Sequence, residues 1–567
     1  MSLDISDWLR KNGAAFLIFL SSLFLFYVLY QLRFLDDSRL TSWDDVFAIV
    51  TTLRTGVLLC FSLAAAFIFS RFAFVERNPS AVLFMLTFAV SALFWQEPEM
   101  IVDASRYFTQ AKHLELYGFG YFFQEWGKGI NAWTDLPAIP FIYGSLFRVF
   151  GESRLIIQVF NTLLFSSAVV LTYLTGKELW DRDIGLYAAI FLLGIPYLFT
   201  QVPLMLVDLP AMFFLMLSIY TFLLALRRGS VQVAIAGLSI FMAFFTKYSS
   251  WLMLTVIPVI YAVELYRNRK ERLDRNAMRG MIVFFVSFFL ISIMIAFKHD
   301  EIVKQIHLLL SYQMPGLKRW GESLVSTYLF QMHPVIPMLA LLSLFVAVRK
   351  RDTAYIIVAW LVLVILALQV LRIRYIMMVF PLLSLMASYG LGLIRDRMNA
   401  RFIAYSTAAF SLTLALSGFM PFLQHTSAVN LRDAAEYLNS LDVAVVEVFT
   451  PLPQEYVMNP AVSVPLLDLH TKKKIVYRYE EAEYPLPEDI STSALRFTWE
   501  YKNPLYYQES VKEYDKKAVL IITDRIEREL PPAILLEIAG LSEKRTFAVS
   551  DNAFRHKTLV TVFHQTR

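Results

Sequence analysis

The sequence predicts a mainly α, polytopic membrane protein carrying a folded α/β domain at its C-terminal end, and three observations predict it. Of 567 residues, 57% are hydrophobic and only 17% charged, against about 45–50% and 25% in soluble globular proteins. The apolar residues gather into about thirteen runs of the length that spans a bilayer. Beyond residue 423 those runs stop and short, strand-like apolar stretches replace them. With a mean hydropathy of +0.53, the chain has more apolar surface than one aqueous core can bury, and lipid must solvate the surplus.

The runs lie near 13–32, 55–73, 80–96, 153–175, 183–200, 203–226, 231–247, 250–266, 280–297, 328–348, 353–371, 374–394 and 402–423. The first follows Arg10 and Lys11. It is too long for a signal h-region and lacks a small-x-small cleavage site before Gln31, so it reads as a retained helix. Pro196 and Pro203 punctuate 183–226 and mark helix breaks there. The one cysteine, Cys60, excludes an intramolecular disulfide and leaves the compartment undecided.

Charge sets the expected orientation. Arg71 and Arg77, Lys177 and Arg182, and Arg227 and Arg228 occupy alternate short loops. So do Arg267, Arg269, Lys270, Arg272, Arg275 and Arg279, then Arg349, Lys350 and Arg351, then Arg395, Arg397 and Arg401. By the positive-inside rule all share the cytoplasmic face if the N-terminus is cytoplasmic. The longer segments 97–152, 298–327 and everything after 424 then lie outside a plasma or inner membrane. The formal net charge of +5 sits in these loops and implies no nucleic-acid partner; membrane lipids are the partners it implies.

The chain thus divides into a transmembrane module, 1–423, and an extracytoplasmic α/β domain, 424–567. In the latter, Val443–Val448, Ile475–Tyr479, Val519–Thr523 and Leu559–Phe563 read as strands, with helices at Leu431–Ser440 and Pro532–Leu541. Leu136–Phe150, with Arg148 its one charge, reads as a helix lying along the interface.

Charged residues at membrane depth are costly, so each is a functional candidate. Asp103, in Glu97-Pro98-Glu99-Met100-Ile101-Val102-Asp103-Ala104-Ser105-Arg106-Tyr107, and Asp208, in Val207-Asp208-Leu209-Pro210, fall at the same face. Two carboxylates there suit a general base, a cation site or a coupling-ion site; a loop residue and a helix N-cap are the plainer alternatives. Lys247, Arg372 and Arg374 accompany them. Arginine forks match phosphate oxygens, whereas snorkelling to the interface also accounts for Lys247. His333 precedes Pro334 at a helix start and reads as structural more than catalytic. Segment 298–327, with Tyr312-Gln313-Met314-Pro315-Gly316, is either a lid or a plain connector. No P-loop, GxGxxG turn, zinc cluster or serine-hydrolase elbow is present.

The order of these elements resembles the GT-C superfamily of glycosyltransferases, in particular the lipid A aminoarabinose transferase, the protein O-mannosyltransferases and the rhizobial galacturonosyltransferases. Asp103-Ala104-Ser105-Arg106-Tyr107 matches their acidic outer-loop motif, and Asp135-Leu136-Pro137-Ala138-Ile139-Pro140-Phe141 the Pro-containing stretch after it. Gly176 to Leu186 matches a helix pair joined by a Gly-rich basic turn, Asp208-Leu209-Pro210 an Asp-x-Pro motif, Lys247 a helix-end lysine, and Arg374-Tyr375 an Arg-Tyr before a Pro-containing helix. The resemblance covers roughly 95 to 395 and is carried by order more than by any single motif.

The resemblance implies transfer of a sugar from a polyprenyl-phosphate donor to an extracytoplasmic lipid, glycan or protein. It assigns catalysis to Asp103 and Asp208, donor-phosphate binding to Arg372, Arg374 and Lys247, and substrate contacts to Arg106, Tyr107, His333 and Tyr375. Ala104 stands where the family carries a second acid, and Asp135-Leu136 where a lysine is common. No cofactor is required by the pattern, and participation of a divalent metal stays open. A secondary transporter with Asp103 and Asp208 as ion ligands is the principal alternative, although the chain lacks the internal repeat of such proteins; a scaffold whose tail domain binds a partner is the other.

Overall fold

In the computed structural model residues 5–72, 77–267, 273–314, 321–452, 458–479 and 490–565 are described, except 491, 492, 494, 509–515, 526–528, 552, 555 and 556. Arg269, Lys270, Arg272, Pro315 and Gly316 lie outside them, as do the side chains of Arg10 and Lys11. Among the described residues, eight helices are long and apolar enough to cross a membrane: Asn12–Gln31, Thr52–Ser70, Arg154–Leu179, Asp208–Arg228, Ser249–Arg267, Leu273–Phe297, Ile373–Leu391 and Arg397–Leu423. The other predicted runs form shorter helices, Pro79–Ala92, Arg182–Leu193 with Pro196–Gln201, Val231–Thr246, Val335–Lys350 and Tyr355–Ala367.

The proline punctuation explains the shortest of these. Ile195 is extended (φ −113°, ψ 97°) and Pro196 starts the next helix, because proline disfavours the helical region for the residue before it. Pro203 starts none; the chain runs through 202–207 before Asp208 opens the next helix. Helix pairs pack closely where glycines permit it. A Cβ on Gly185 would stand 2.3 Å from the Tyr173 carbonyl oxygen, and one on Gly176 2.6 Å from the Gly185 Cα. Gly185→Ala must therefore push Arg154–Leu179 and Arg182–Leu193 apart, at about 1–3 kcal/mol. A lowered thermal unfolding midpoint in detergent is expected; an unchanged one would contradict this packing.

The bundle is layered by burial. The apolar windows of Asp208–Arg228 and Ile373–Leu391 are 83% and 94% buried, whereas those of Asn12–Gln31 and Leu273–Phe297 are 17% buried. The two former helices form the centre and the two latter face outward.

The two ends of the bundle differ in chemistry. At one end the basic loops meet: Arg227 pairs with Glu264 at 2.7 Å and Glu178 at 3.1 Å, and Arg279 donates to the Leu226 carbonyl at 2.8 Å. Trp180 and Tyr389 both donate to Asp352, at 2.7 and 3.1 Å, and Arg397 pairs with Asp183 at 3.2 Å. The opposite end carries Asp208, Arg374, the helix Asp103–Glu125, the helix Ala138–Phe150 and the C-terminal domain. The basic loops thus converge on one end, and the long segments and tail domain on the other.

Segment 97–152 contains more structure than its polar composition suggests. Asp103–Glu125 is a helix kinked at Gly118 (φ 86°). Gly144 lets Ala138–Phe150 approach it: a Cβ there would lie 2.6 Å from the Ala111 carbonyl oxygen. The helix expected at Leu136–Phe150 is this second one, from Ala138 to Phe150, with Ile139, Tyr143 and Phe147 buried.

The C-terminal domain is a five-stranded sheet of β1 (Val445–Phe449), β2 (Lys474–Tyr477), β3 (Lys517–Thr523), β4 (Glu543–Phe547) and β5 (Leu559–His564). Its order is β2-β1-β3-β5-β4, with β2, β1 and β3 parallel and β5 and β4 antiparallel. Helices Val429–Ser440 and Pro532–Ile538 accompany it. Four strands and both helices stand where the sequence pattern put them. β4 was not predicted: as an exposed edge strand reading Glu-Lys-Arg-Thr-Phe, it carries the charges that blunt sheet edges in place of an apolar alternation.

Candidate functional site: an ion-pair lattice at one end of the bundle

The two central helices begin at this site. Asp208 is the first residue of its helix, and the non-helical segment before it is tied down from three sides. Asn161 donates to the Leu204 carbonyl at 2.8 Å, the Tyr143 hydroxyl lies 2.7 Å from the Leu206 carbonyl, and the Met205 N–H donates to Glu99 at 3.1 Å. Glu99 is itself clasped by Arg154 at 3.1 Å. Such bracing holds the Asp208 carboxylate in one place although it heads a loop-to-helix junction.

Arg374 lies between the two carboxylates singled out in the sequence. Its Nε and Nη2 each stand 2.9 Å from Asp208 Oδ2, and its Nη1 is 2.5 Å from Asp103 Oδ2. Lys247 pairs with the other oxygen of Asp208. Residues from 103, 208, 247 and 374 are thus brought together, as their shared membrane face suggested. Neither carboxylate caps its own helix. Only 2% of the Asp208 side chain and 6% of that of Arg374 is exposed, against about a fifth of Asp103 and Lys247. The accessible edge of the lattice is therefore formed by Asp103 and Lys247.

The lattice continues outward through a carboxylate the sequence reading did not single out. Arg106, one turn after Asp103, lies 3.4 Å from Asp103 Oδ1 and 3.1 Å from Asp135 Oδ1. Asp135 also accepts from the Gln110 amide at 3.2 Å and is hydrogen-bonded by Tyr107. On the other flank Arg372 stands 3.6 Å from Glu322, whose second oxygen accepts the Ile373 N–H at 3.2 Å. The Tyr375 ring has Arg372 5.2 Å and Lys247 5.4 Å from its centroid. Segment 298–327 therefore contributes Glu322, and it packs on the site end through Gln313 to Thr134 and Tyr248 to Gln305.

Burial and charge compete at the two loop carboxylates, with opposite results. Burial pushes Asp103 up, but the guanidinium groups of Arg374 and Arg106 outweigh it and hold the carboxyl below the usual carboxylate range. For Asp135 burial wins: despite Arg106, and aided by the charge of Asp103, its pKa rises to about 6. At neutral pH Asp103 is ionised and a weak base, whereas Asp135 titrates close to physiological pH. A raised carboxyl favours the folded state below its unfolded pKa of about 3.9, and that contribution is lost as pH rises through 6.

His333 lies apart from this lattice. It is 3% exposed, packs edge-on against Phe410 at 4.6 Å, and accepts the Val335 N–H at 3.3 Å. These contacts are those of a helix-start residue in an apolar setting. Among the described residues no cluster of three or more His, Cys, Asp or Glu side chains is arranged to hold a metal ion. Asp103, Asp135, Asp208 and Glu322 are each engaged by arginine, lysine or amide donors.

The sequence matches the dolichyl-phosphate-mannose-protein mannosyltransferase family over residues 135–310. No curated protein matches the chain by sequence. Among solved structures it is similar to ArnT from Cupriavidus metallidurans bound to undecaprenyl phosphate, at 11% identity and a TM-score of 0.50, covering 84% of this chain and 97% of ArnT. The apo form of the same enzyme gives 12% identity, the same coverage and the same TM-score. A weaker likeness is to the archaeal oligosaccharyltransferase AglB from Archaeoglobus fulgidus, at 11% identity and TM-score 0.45 over 70% of this chain and 64% of AglB. The chain has the fold of the GT-C membrane glycosyltransferases, and its sequence match falls among them, as its ordered motifs indicate.

Proposed function

We propose that the protein transfers a sugar from a polyprenyl-phosphate donor to an acceptor at the face of the membrane opposite its basic loops. The observation that carries this reading is the lattice itself: a partly accessible carboxylate, Asp103, and a partly accessible cation, Lys247, held against the buried Asp208 and Arg374 at the heads of the two most central helices. The family matched over 135–310 and ArnT, seen with undecaprenyl phosphate, support a lipid-phosphate donor.

An acceptor hydroxyl or amine attacks the anomeric carbon, and the bond from that carbon to the phosphate oxygen breaks. Its electron pair leaves with the polyprenyl phosphate. The acceptor's proton passes to Asp103, whose lowered pKa makes it a hydrogen-bond acceptor early and a proton acceptor late in the step. Lys247 and Arg372, the cations flanking Tyr375, meet the charge growing on the phosphate. Arg374, with three nitrogens already on carboxylates, fixes Asp103 relative to Asp208. With the basic loops cytoplasmic, this chemistry faces the cell envelope, where acceptor lipid, glycan or protein would be found.

Asp135 gives a pH signature. As pH falls through about 6 it takes a proton and Arg106 loses one of its two anionic partners. Transfer is expected to lose activity on an acid limb near pH 6, and Asp135→Asn should remove that limb. A limb that persists in the variant would assign it elsewhere.

The reaction is tested with membranes containing the protein and a panel of polyprenyl-phosphate sugars labelled in the sugar. Label leaving the polyprenyl fraction for a lipid, glycan or protein fraction is expected. Label that stays on the donor, or sugar that crosses sealed vesicles unchanged, would refute transfer and favour a transporter.

A further inference from the structure

The C-terminal domain reaches the ion-pair lattice through Phe497. Its short helix Arg496–Trp499 sets the Phe497 ring over the Arg106 guanidinium, 4.4 Å from centroid to carbon. Phe497 also packs on Trp133, with centroids 6.3 Å apart, and Trp133 packs on Tyr312 at 6.0 Å. Each ring belongs to a different segment: 97–152, 298–327 and the tail domain. All three rings are buried, Phe497 at 9% exposure being the most open. Polar contacts pin the arrangement. The Tyr312 hydroxyl donates to the Ser493 carbonyl, Asn131 donates to the Glu500 carbonyl at 3.1 Å, and Arg496 lies 5.2 Å over the Tyr312 ring.

Arg106 needs such a constraint. One of its terminal nitrogens serves both Asp103 and Asp135. A guanidinium shared in this way can swing toward either carboxylate, since each alone offers a good fork geometry. An aromatic face laid on the cation restricts it to one plane and adds an attraction that grows with desolvation. In that plane the Arg106 Nε–H is buried and finds no acceptor among the described residues, and neither does the Gln110 Oε1 one turn further along find a donor. Buried polar atoms without partners are uncommon and call for one.

We infer that the C-terminal domain completes the transferase site: Phe497 is a positioning residue that fixes Arg106 between Asp103 and Asp135 and leaves its Nε–H for a substrate oxygen. The inference rests on the transferase reading and gives the tail domain a part in it beyond covering the bundle.

The test compares full-length wild type with Phe497→Leu, Phe497→Met, Phe497→Tyr, Arg106→Gln and the double variant Phe497→Leu/Arg106→Gln. Leucine and methionine keep an apolar filler and remove the aromatic face; tyrosine keeps it. Loss of the stack should lower kcat/KM about tenfold, mainly through kcat, and Phe497→Tyr should restore it. Asp135 faces Arg106, Asp103, Tyr107 and Gln110 on one helix and lies within electrostatic reach of Tyr248. Among these only Arg106 is cationic, and its charge opposes the rise in the Asp135 pKa, so freeing Arg106 should move the acid limb upward in Phe497→Leu, whereas Arg106→Gln, with no cation left to lose a partner, should abolish it. The double variant should be no worse than Arg106→Gln alone.

An unmoved limb with unchanged kcat in both Phe497→Leu and Phe497→Met would overturn the inference and leave the transferase reading intact. So would losses that multiply in the double variant. Absence of transfer by wild type from every donor would instead sink the transferase reading. The thermal unfolding midpoints of the same four-member cycle then decide the stack: coupling between 106 and 497 upholds it, and additivity overturns it.

Discussion

Asp103→Asn is expected to lower transfer by about 10²–10⁴-fold, the range a general base contributes, while the protein stays folded. The geometry gives the reason for both halves of that expectation. Asparagine keeps the shape and one acceptor oxygen but cannot take the acceptor's proton. The cations it leaves are not stranded, because Arg374 retains Asp208 at 2.9 Å and Arg106 retains Asp135 at 3.1 Å. The check is a rate of polyprenyl phosphate release together with a thermal unfolding curve in the same detergent. A folded variant with undiminished rate would remove Asp103 from the chemistry; an unfolded one would show that the lattice needs its charge for stability.

Arg374→Ala should have the largest effect on stability. Its guanidinium is the shared counter-charge of Asp103 and Asp208, and all but 2% of the Asp208 side chain is buried. Removing one partner of a buried pair leaves an uncompensated charge and costs about 3–5 kcal/mol. Lys247 still compensates Asp208 in part, so the lower end of that range is the expected value. The expected observation is a clearly lowered unfolding midpoint, partly recovered in Arg374→Ala/Asp208→Asn, where the stranded carboxylate has been neutralised. A midpoint equal to wild type would mean that Asp208 finds other compensation and that Arg374 is no brace.

The parts of the site legible in the sequence were those with chemical contrast. Asp208 and Arg374 are ionisable residues at the ends of apolar runs, where a charge is costly enough to be conspicuous, and Asp103 and Lys247 share their face. Asp135, Gln110 and Glu322 gave no such signal, because a polar residue in a polar segment is unremarkable until its partner is known. Their partners come from elsewhere in the fold: Arg106 lies 29 positions before Asp135, and Arg372 lies 50 after Glu322. Phe497 was invisible for the same reason, its partner Arg106 being in another domain. His333 shows the converse, a residue that draws attention by its type and turns out to sit against Phe410.

The fold followed the same division. Apolar runs reported the helices, because length and hydropathy alone select a spanning segment. The helix Asp103–Glu125 was hidden inside a segment read as a loop. Its mixed face, with Asp103, Arg106 and Gln110 on the site side and Ala111 and Leu114 buried, has no long apolar run to mark it. Strands β1, β2, β3 and β5 showed as short apolar stretches, and the charged edge strand β4 did not.

The central claim, that Asp103 and the cations beside Tyr375 act on a polyprenyl-phosphate sugar, is tested most directly by one measurement. Purified wild type, Asp103→Asn and Lys247→Ala/Arg372→Ala are each mixed with polyprenyl-phosphate sugars and an extract of cell-envelope acceptors, and free polyprenyl phosphate is followed with time. Sugar-dependent release by wild type, with both variants reduced by about a hundredfold or more, is the predicted result. Equal release by all three proteins would contradict the assignment of the site, and no release by wild type from any donor would contradict the proposed reaction.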